Sequence, residues 1–511
     1  MNMRLPSRAA IHCFRVSMLS LMWFKNDLRI RDNPALSLAA EQGKVLPIFI
    51  IEPEYWAKSD VSERHFAFLS ESIESLQRDL SALGQPLILR VGDAVEVLAR
   101  LHAKHRYEQI VSNLETGNNW TFLRDKRVAD WARGKSLHWI EANQPWVVSE
   151  LILRNDRGDP NVSLSLRPPP QIAALPPVAE ASGTVPSARS LGLAEDRCAA
   201  RQKGGRSAAE QTISSFLASR GRAYHVASVS PLTAERASSR LSPYLAFGLL
   251  SQREVTQRAI EARAAVRGQE CWTKSLRGFQ RQLALRQRRG QGHTNENPIE
   301  HVALDHEVDR IFPRQPDAAR LAAWENGETG LPFVDASMRY LRATGWLPNR
   351  VRAMLQSVAS FHLWLDWRVS GLHLARMSTD YIPAIHWHQV QIHSGVAGAG
   401  PLRIENPVKL GLVLDPGGAF IRRWLPELSI VPQRFVHEPW KWPEARNALA
   451  TRYPEPIIDP MTAAKEARRA FALVKRKQVG PAAMVGQDAG IRQANSRASL
   501  RKATGQLTLD V

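Results

Sequence analysis

Short apolar runs alternate with amphipathic segments through the first third of the chain. LSLMWFK (19–25), KVLPIFIIEP (44–53), PLILRVG (86–92), QIVSNLE (109–115) and LHWIEA (137–142) read as strands. Between them lie helical segments. The clearest spans 62–83, with Phe66, Leu69, Ile73, Leu76 and Leu80 on one stripe. Strand–helix alternation of this kind predicts a parallel, doubly wound α/β sheet. Periodicity then disappears from about Leu166 to Gly205, a Pro-, Ala- and Ser-rich stretch expected to be a surface linker. From GGRSAAEQ onward almost every segment has helical spacing, so an all-α domain should follow. Ser207 and Glu210 have the spacing of a capping box for its first helix. The implied divisions are an α/β domain at 18–150, a linker at 151–205, an all-α domain at 206–460 and a basic tail at 461–511.

Within the helical half, residues 324–428 carry the densest chemistry. Val334, Met338 and Leu341 recur at helical spacing, as do Met354, Val358, Phe361 and Leu365. The second of these helices carries Asn349, Arg350 and Arg352 where a core face is expected, with Trp346, Trp364 and Trp367 close by. A buried guanidinium needs a partner or an anionic ligand, so this stretch predicts the wall of a pocket for a flat, charged molecule. Upstream, Ser238, Ser239 and Ser242 cluster where a helix begins, with Pro243 in its first turn. Free N–H groups and hydroxyls at a helix start suit a pyrophosphate.

Composition and charge narrow the partners. The chain has 511 residues, 44% hydrophobic and 23% charged, and a formal net charge of +19. Such a balance points to a polyanion, nucleic acid first. The tail from Met461 contributes about +7, leaving about +12 on the rest. In WTKSLRGFQRQLALRQRRG (272–290), Arg277, Arg281, Arg286, Arg288 and Arg289 form a basic helical face suited to phosphates. A solvated charge run is the plainer alternative. No 18-residue apolar run exists, so no membrane span is expected. Cys13, Cys198 and Cys271 lie far apart, which fits a reducing compartment and excludes a disulfide framework. His362, His373, His386, His388 and His393 share a window without HExxH or a third ligand at recognisable spacing, so no metal is expected. No GxGxxG or Walker loop occurs, which leaves an ordinary dinucleotide or nucleoside triphosphate site unsupported. Residues 1–17 contain Arg4, Arg8 and Arg15 without an acid, and the fold is expected to begin at Met18, after a start assigned too early.

The pattern W-x-x-G-x-T-G-x-P-x-V-D-A-x-M-R-x-L-x-x-T-G-W-x-x-N-R-x-R, from Trp324 to Arg352, resembles the photolyase/cryptochrome flavoproteins. The likeness extends from about Leu19 to Trp442 and includes RIENP, RRWLPEL and HEPWKWP. It implies an FAD-binding helical domain behind an antenna domain, and a bacterial, cytoplasmic, nucleoid-associated monomer acting on damaged DNA without sequence preference. A second, folate or flavin/lumazine-type antenna chromophore is implied for the α/β domain, where Asn113, Glu115 and Asn118 are contact candidates or, equally, turn and capping residues. The string R-L-S-P-Y-L-x-x-G is similar to the family's flavin-phosphate loop. It assigns Tyr224, Ser238, Ser239, Leu241 and Ser242 to FAD, and Gln282, Trp346, Asn349, Arg352 and Asp380 follow by position. Arg281, Arg286, Arg288 and Arg289 become the DNA face. His386 stands where the family places an Asn facing the reactive flavin nitrogen, and Trp367 matches the middle of its electron relay. The ligands of the iron–sulfur cluster found in some relatives are missing.

Departures from the family bear on activity. Gln282 and Leu285 replace its Glu and stacking Trp; Ala353 and Ile392 replace Met and Trp. The innermost relay position is Val390 and the outermost, near Arg314, is also not Trp, which leaves Trp387 or Trp324 as substitutes. The expected function is FAD-dependent, light-driven pyrimidine-dimer repair, a lyase activity. A cryptochrome-like blue-light sensor without repair is the alternative.

Overall fold

The computed structural model describes residues 18–115, 117–142, 172, 174–291, 299–311, 317–398 and 402–478. Side chains of 288–291, 311 and 474–478 lie outside that description, as do residues 1–17, Cys13 among them, and the tail beyond 478.

Five parallel strands form one sheet: β1 (Met18–Phe24), β2 (Gly43–Ile51), β3 (Ile88–Val91), β4 (Gln109–Asn113) and β5 (His138–Ala142), in the order β3-β2-β1-β4-β5. The crossovers include α1 (Pro34–Gln42), α2 (Glu63–Ala82), α3 (Ala94–His105) and α4 (Asn119–Gly134). Strand periodicity sorts the side chains between two cores. Leu21, Trp23, Leu46, Ile48 and Ile50 pack under α3 and α4. Met22, Phe24, Val45, Phe49 and Ile51 face α1 and α2. That second core continues without a break into the helical domain through Ile213, Phe216, Tyr244, Leu250 and Phe279. Each such side chain contributes about 1.5–3 kcal/mol by leaving water, so the shared core joins the two domains strongly.

The stretch expected to be a surface linker is a strap where it is described. Ser182 O accepts the N–H of Leu89 at 2.5 Å on the β3 edge, and Leu175 and Cys198 are buried. Glu180 pairs with Arg90, Lys104 and His105. Covering an edge strand in this way satisfies donors that would otherwise be open to another chain.

The helical domain comprises, among others, α5 (Arg206–Ala218), α6 (Pro231–Ala237), α7 (Ser242–Ala246), α8 (Gln252–Ala265), α9 (Glu270–Gln291), α10 (Pro332–Thr344), α11 (Asn349–Ser357), α12 (Trp367–Met377), α13 (Pro383–Ser394) and α14 (Pro460–Gln478). The capping box expected from Ser207 and Glu210 does not form. Gly205 is the N-cap of α5, and the exposed donors at this end are met across the interface, Gly205 N by Ser72 Oγ and Arg206 N by Ser75 Oγ, both on α2. Glu210 pairs with Arg206 and Arg258 instead. Neighbouring hydroxyls removed the need for a local cap.

The expected second helix of the 324–428 stretch is also interrupted. A π turn at Val358–His362 follows α11, and Trp364 takes a left-handed φ of 57°. Trp364 and Trp367 therefore do not share one helix. The extra residue of the π turn rotates Phe361 and His362 into the core, where both are buried. Among the described residues no helix is long and apolar enough to cross a membrane.

Candidate functional site

Three chain reversals converge to make the principal site. At the α6–α7 corner, Ser238 is extended, Arg240 adopts a left-handed φ of 58°, and α7 starts at Ser242 with Pro243 in its first turn. Arg220 Nη1 donates to Ser238 O at 2.7 Å and holds the corner from behind. The strained Arg240 backbone aims its guanidinium over the ring of Trp346, 4.1 Å from the centroid. Trp346 follows Gly345, whose φ of 68° closes α10. Thr379 N donates to Gly345 O at 2.9 Å, which ties the α12–α13 loop to the same turn. The next residue in that loop, Asp380, accepts from Arg352 Nη2 through Oδ2 at 3.0 Å, and its Oδ1 lies 2.8 Å from the same nitrogen as an ion pair.

Charge around Asp380 is lopsided. Burial alone would raise its carboxyl, but Arg352, the Ser242 hydroxyl and Arg286 together hold it below the usual carboxylate range. Burial lowers Arg286 to about 10 and lowers Arg240 as well. Arg352, Arg286 and Arg240 all act on Asp380, with Glu235 also offsetting Arg240, which leaves surplus positive charge. Polar atoms are left over too: Ser238 Oγ, Arg240 Nη1 and Arg352 Nε are buried without an acceptor, against the one unmatched acceptor Asp380 Oδ1. Unmatched buried donors are costly unless a ligand answers them. A dianionic diphosphate beside a flat ring system supplies the missing acceptors and charge, so these residues fit FAD.

Not every expected contact lies inside the cradle. Asn349 and Arg350 are exposed at the start of α11, and only Arg352 turns inward, because the helix presents its apolar residues Val351, Met354 and Leu355 to the core. Leu241 is buried as the N-cap of α7, and Ser239 O accepts from Arg220 Nη2 at 3.5 Å. Tyr224 packs edge-on against Phe216 and Phe279, with centroids 5.7 and 5.9 Å away. On α9, Arg277, Arg281 and Gln282 are exposed and Leu285 is half-buried.

Arg286 departs from the expected DNA face. Five residues beyond Arg281, it stands about 140° round the helix and turns inward towards Asp380 and Arg352. Arg288 and Arg289 continue α9, their side chains outside the described residues. Sequence reasoning missed Arg240 and Arg220 as cradle residues. No local pattern announces a left-handed Arg, although Arg240 opens the R-L-S-P string.

His386 lies on α13. Its Nε2 is 2.8 Å from Gly371 O, so this geometry assigns the ring proton to Nε2 and leaves Nδ1 as an acceptor. Burial lowers it to about 4 and keeps the ring neutral near pH 7. The Trp387 ring is 5.2 Å from His386 and 6.0 Å from Trp367. Trp324, the other relay substitute, packs against His373 at 5.5 Å. Ala353 is buried and Ile392 half-buried.

A second cavity of about 310 Å³ opens between the carboxyl ends of the strands and the helical domain. Trp23, Lys25, Glu52, Tyr55, Arg124 and Phe247 belong to its wall, and Arg286 closes it on the cradle side. Burial raises Glu52 to about 7 against the pull of Arg124. Asn113 and Glu115 also line it, whereas Asn118 caps α4, accepting from Thr121 N at 3.1 Å. Among the described residues no cluster of His, Cys, Asp and Glu could hold a metal ion.

Comparison with known proteins finds two family models on this chain. Residues 20–163 match the family model described as DNA photolyase, and residues 279–473 match that of the FAD binding domain of DNA photolyase. Cryptochrome-1 of Arabidopsis thaliana is 30% identical over 485 residues, 86% of this chain and 68% of that protein. Deoxyribodipyrimidine photo-lyase of Escherichia coli is 29% identical over 481 residues, 89% of this chain and 99% of that protein. The crystal structure of a bacterial class III photolyase from Agrobacterium tumefaciens superposes with a TM-score of 0.75 at 25% identity, covering 91% of this chain and 100% of that one.

Proposed function

The chain belongs to the photolyase/cryptochrome family and carries its FAD-binding domain; on that premise we propose that it is a light-driven DNA-repair lyase of the pyrimidine-dimer type. One helix carries the reading. Arg277 and Arg281 are exposed on one face of α9, while Arg286 of the same helix faces the cradle and acts electrostatically on Asp380. A single rigid element therefore couples a backbone-binding face to the cofactor site. Phosphate contacts of this kind position DNA without reading its sequence. Bound FAD, reduced and excited by light, supplies the electron that opens the dimer.

The protein's own residues do the rest. Arg240, Arg352 and Ser238 would hold the diphosphate, and Asp380 keeps Arg352 from standing alone. His386, neutral and with its Nε2 proton committed to Gly371 O, presents an acceptor at Nδ1. An acceptor favours a flavin ring nitrogen that carries a proton, hence the reduced cofactor. The damaged pair must leave the stack to reach the site, and damaged bases cost least to extrude. We infer that the cavity of about 310 Å³ takes a second chromophore of folate or flavin/lumazine type, with Trp23 and Phe247 among the residues that would hold it.

A sensor without repair is the second reading, and Leu285, Ala353 and Ile392 favour it. Aliphatic walls forgo base stacking worth about 1–3 kcal/mol per base. One experiment separates the two. FAD-loaded, reduced protein is illuminated with an oligonucleotide containing a pyrimidine dimer, and the return of base absorbance is followed. Return of absorbance in light and not in darkness establishes repair; unchanged absorbance with DNA bound assigns the protein to the sensor class.

A further inference from the structure

The hydroxyl of Tyr381 stands at a junction used by neither the cradle nor the DNA face. It donates to Asp60 Oδ2 at 2.8 Å, across the interface between the two domains, and accepts the indole N–H of Trp387 at 3.0 Å. Asp60 is buried, and its other donor, Asn118 Nδ2 at 3.2 Å, is also neutral. Tyr381 directly follows the cradle carboxylate Asp380. Its ring centroid is 5.2 Å from that of His386, and it also lines the interdomain cavity. Trp387 is the same 5.2 Å from His386. Indole, phenol and carboxylate thus form one hydrogen-bonded line from the cradle edge into the other domain.

A phenol gives up an electron readily only when its proton leaves at the same time, because the phenol radical cation is a very strong acid. A carboxylate already hydrogen-bonded to the O–H takes that proton without any rearrangement. Burial, with Asp60 adding to it, pushes the Tyr381 phenol well above its usual range, so it stays protonated until the electron goes. The neighbouring indole, Trp367, is less suited to hold positive charge. Trp367 has the Arg368 guanidinium 4.4 Å over its face, and Asp309, which accepts its indole N–H at 3.0 Å, is already paired with Arg368.

We propose that Tyr381 is a proton-coupled electron donor to the flavin site, with Trp387 as its bridge and Asp60 as its proton acceptor. This rests on the light-driven reading of the flavin site and deepens it. Trp387 would be the residue that gives one electron to a light-excited, oxidised isoalloxazine held in the cradle. Tyr381 refills Trp387 through the 3.0 Å hydrogen bond. The phenolic O–H bond breaks and a carboxyl O–H forms on Asp60, leaving a neutral phenoxyl radical and a neutral acid. The line supplies the donor role that Val390 cannot.

The test uses the full-length, FAD-loaded, oxidised protein, excited without oxygen and followed by transient absorption and by electron paramagnetic resonance. A neutral tyrosyl radical should form, more slowly in D2O than in H2O. Tyr381→Phe and Asp60→Asn should each abolish it while FAD stays bound, and charge recombination should quicken at least ~10-fold. Trp387→Phe should remove the tyrosyl and tryptophanyl signals together. A radical spectrum and lifetime unchanged in Tyr381→Phe would overturn the proposal and leave the flavin reading standing. A full tyrosyl yield in Asp60→Asn would overturn the proton-acceptor assignment. Wild-type protein that binds FAD yet separates no charge would overturn both the donor and the light-driven reading.

Discussion

Two buried carboxylates of the helical domain, Asp335 and Asp380, teach opposite lessons. Asp335 accepts from Thr329 N at 2.9 Å, Thr329 Oγ1 at 2.6 Å, Gly330 N at 3.0 Å and Tyr453 OH at 2.6 Å. All four donors are neutral, and together they pin the turn before α10 to a distant part of the chain. Asp380 faces more cation than it can neutralise, and three donors around it have no acceptor. A closed polar cluster holds a fold together; one with surplus donors and charge is waiting for a ligand. Residue type alone does not separate the two cases.

The sharpest way to break this comparison is Asp335→Ala. It strands buried donors on both sides of the domain and should cost about 3–4 kcal/mol, read as a lowered urea midpoint with FAD lost only through unfolding. Next is Gly345→Ala. Its φ of 68° and a Cβ only 2.1 Å from Thr379 Oγ1 force the turn to move, at about 1–3 kcal/mol. The Asp380 loop is hydrogen-bonded to that turn, so FAD affinity should fall along with the thermal midpoint.

Arg240→Ala should separate binding from folding. FAD affinity should drop about 10–100-fold, the value of a charge-assisted hydrogen bond. The apoprotein should lose at most about 1 kcal/mol, the worth of the stack on Trp346. Equal losses in both would mean that the cradle is structural after all.

The smallest effect concerns pH. His386 is lowered to about 4 by burial, against about 6.5 in the unfolded chain. The unfolded state therefore binds the proton first. The stability this group contributes is present above pH about 6.5 and is lost as the pH falls towards 4. His386→Asn should flatten the urea midpoint against pH in that window. His362, also lowered to about 4 by burial, will leave a residual slope.

Much of this was legible along the chain. The strand–helix alternation of the first 142 residues located all five strands to within a few residues, most plainly β1, β2 and β4, because buried parallel strands are mostly apolar. The stripe from Phe66 to Leu80 marked α2 for the same reason, burial of one helical face. Ser238, Ser242, Arg352 and Asp380 were readable as candidates from their chemistry and from the family pattern. Other features had no local signal. Gly205 displaced Ser207 as a cap because hydroxyls of α2 arrived from another part of the chain. Arg286 left the basic face for the cradle because of where α9 lies against Asp380. Arg240 took a left-handed backbone that composition does not announce.

Periodicity and residue chemistry thus settled which segments are strands and helices, which faces are buried and which residues could meet an anion, since these depend on neighbours a few positions apart. Tertiary structure alone decided which donors remain without acceptors, which arginine turns inward and which tyrosine meets a carboxylate from the other domain. Those outcomes depend on groups such as Asp60 and Tyr381, 321 positions apart, brought together only when the two domains share a core.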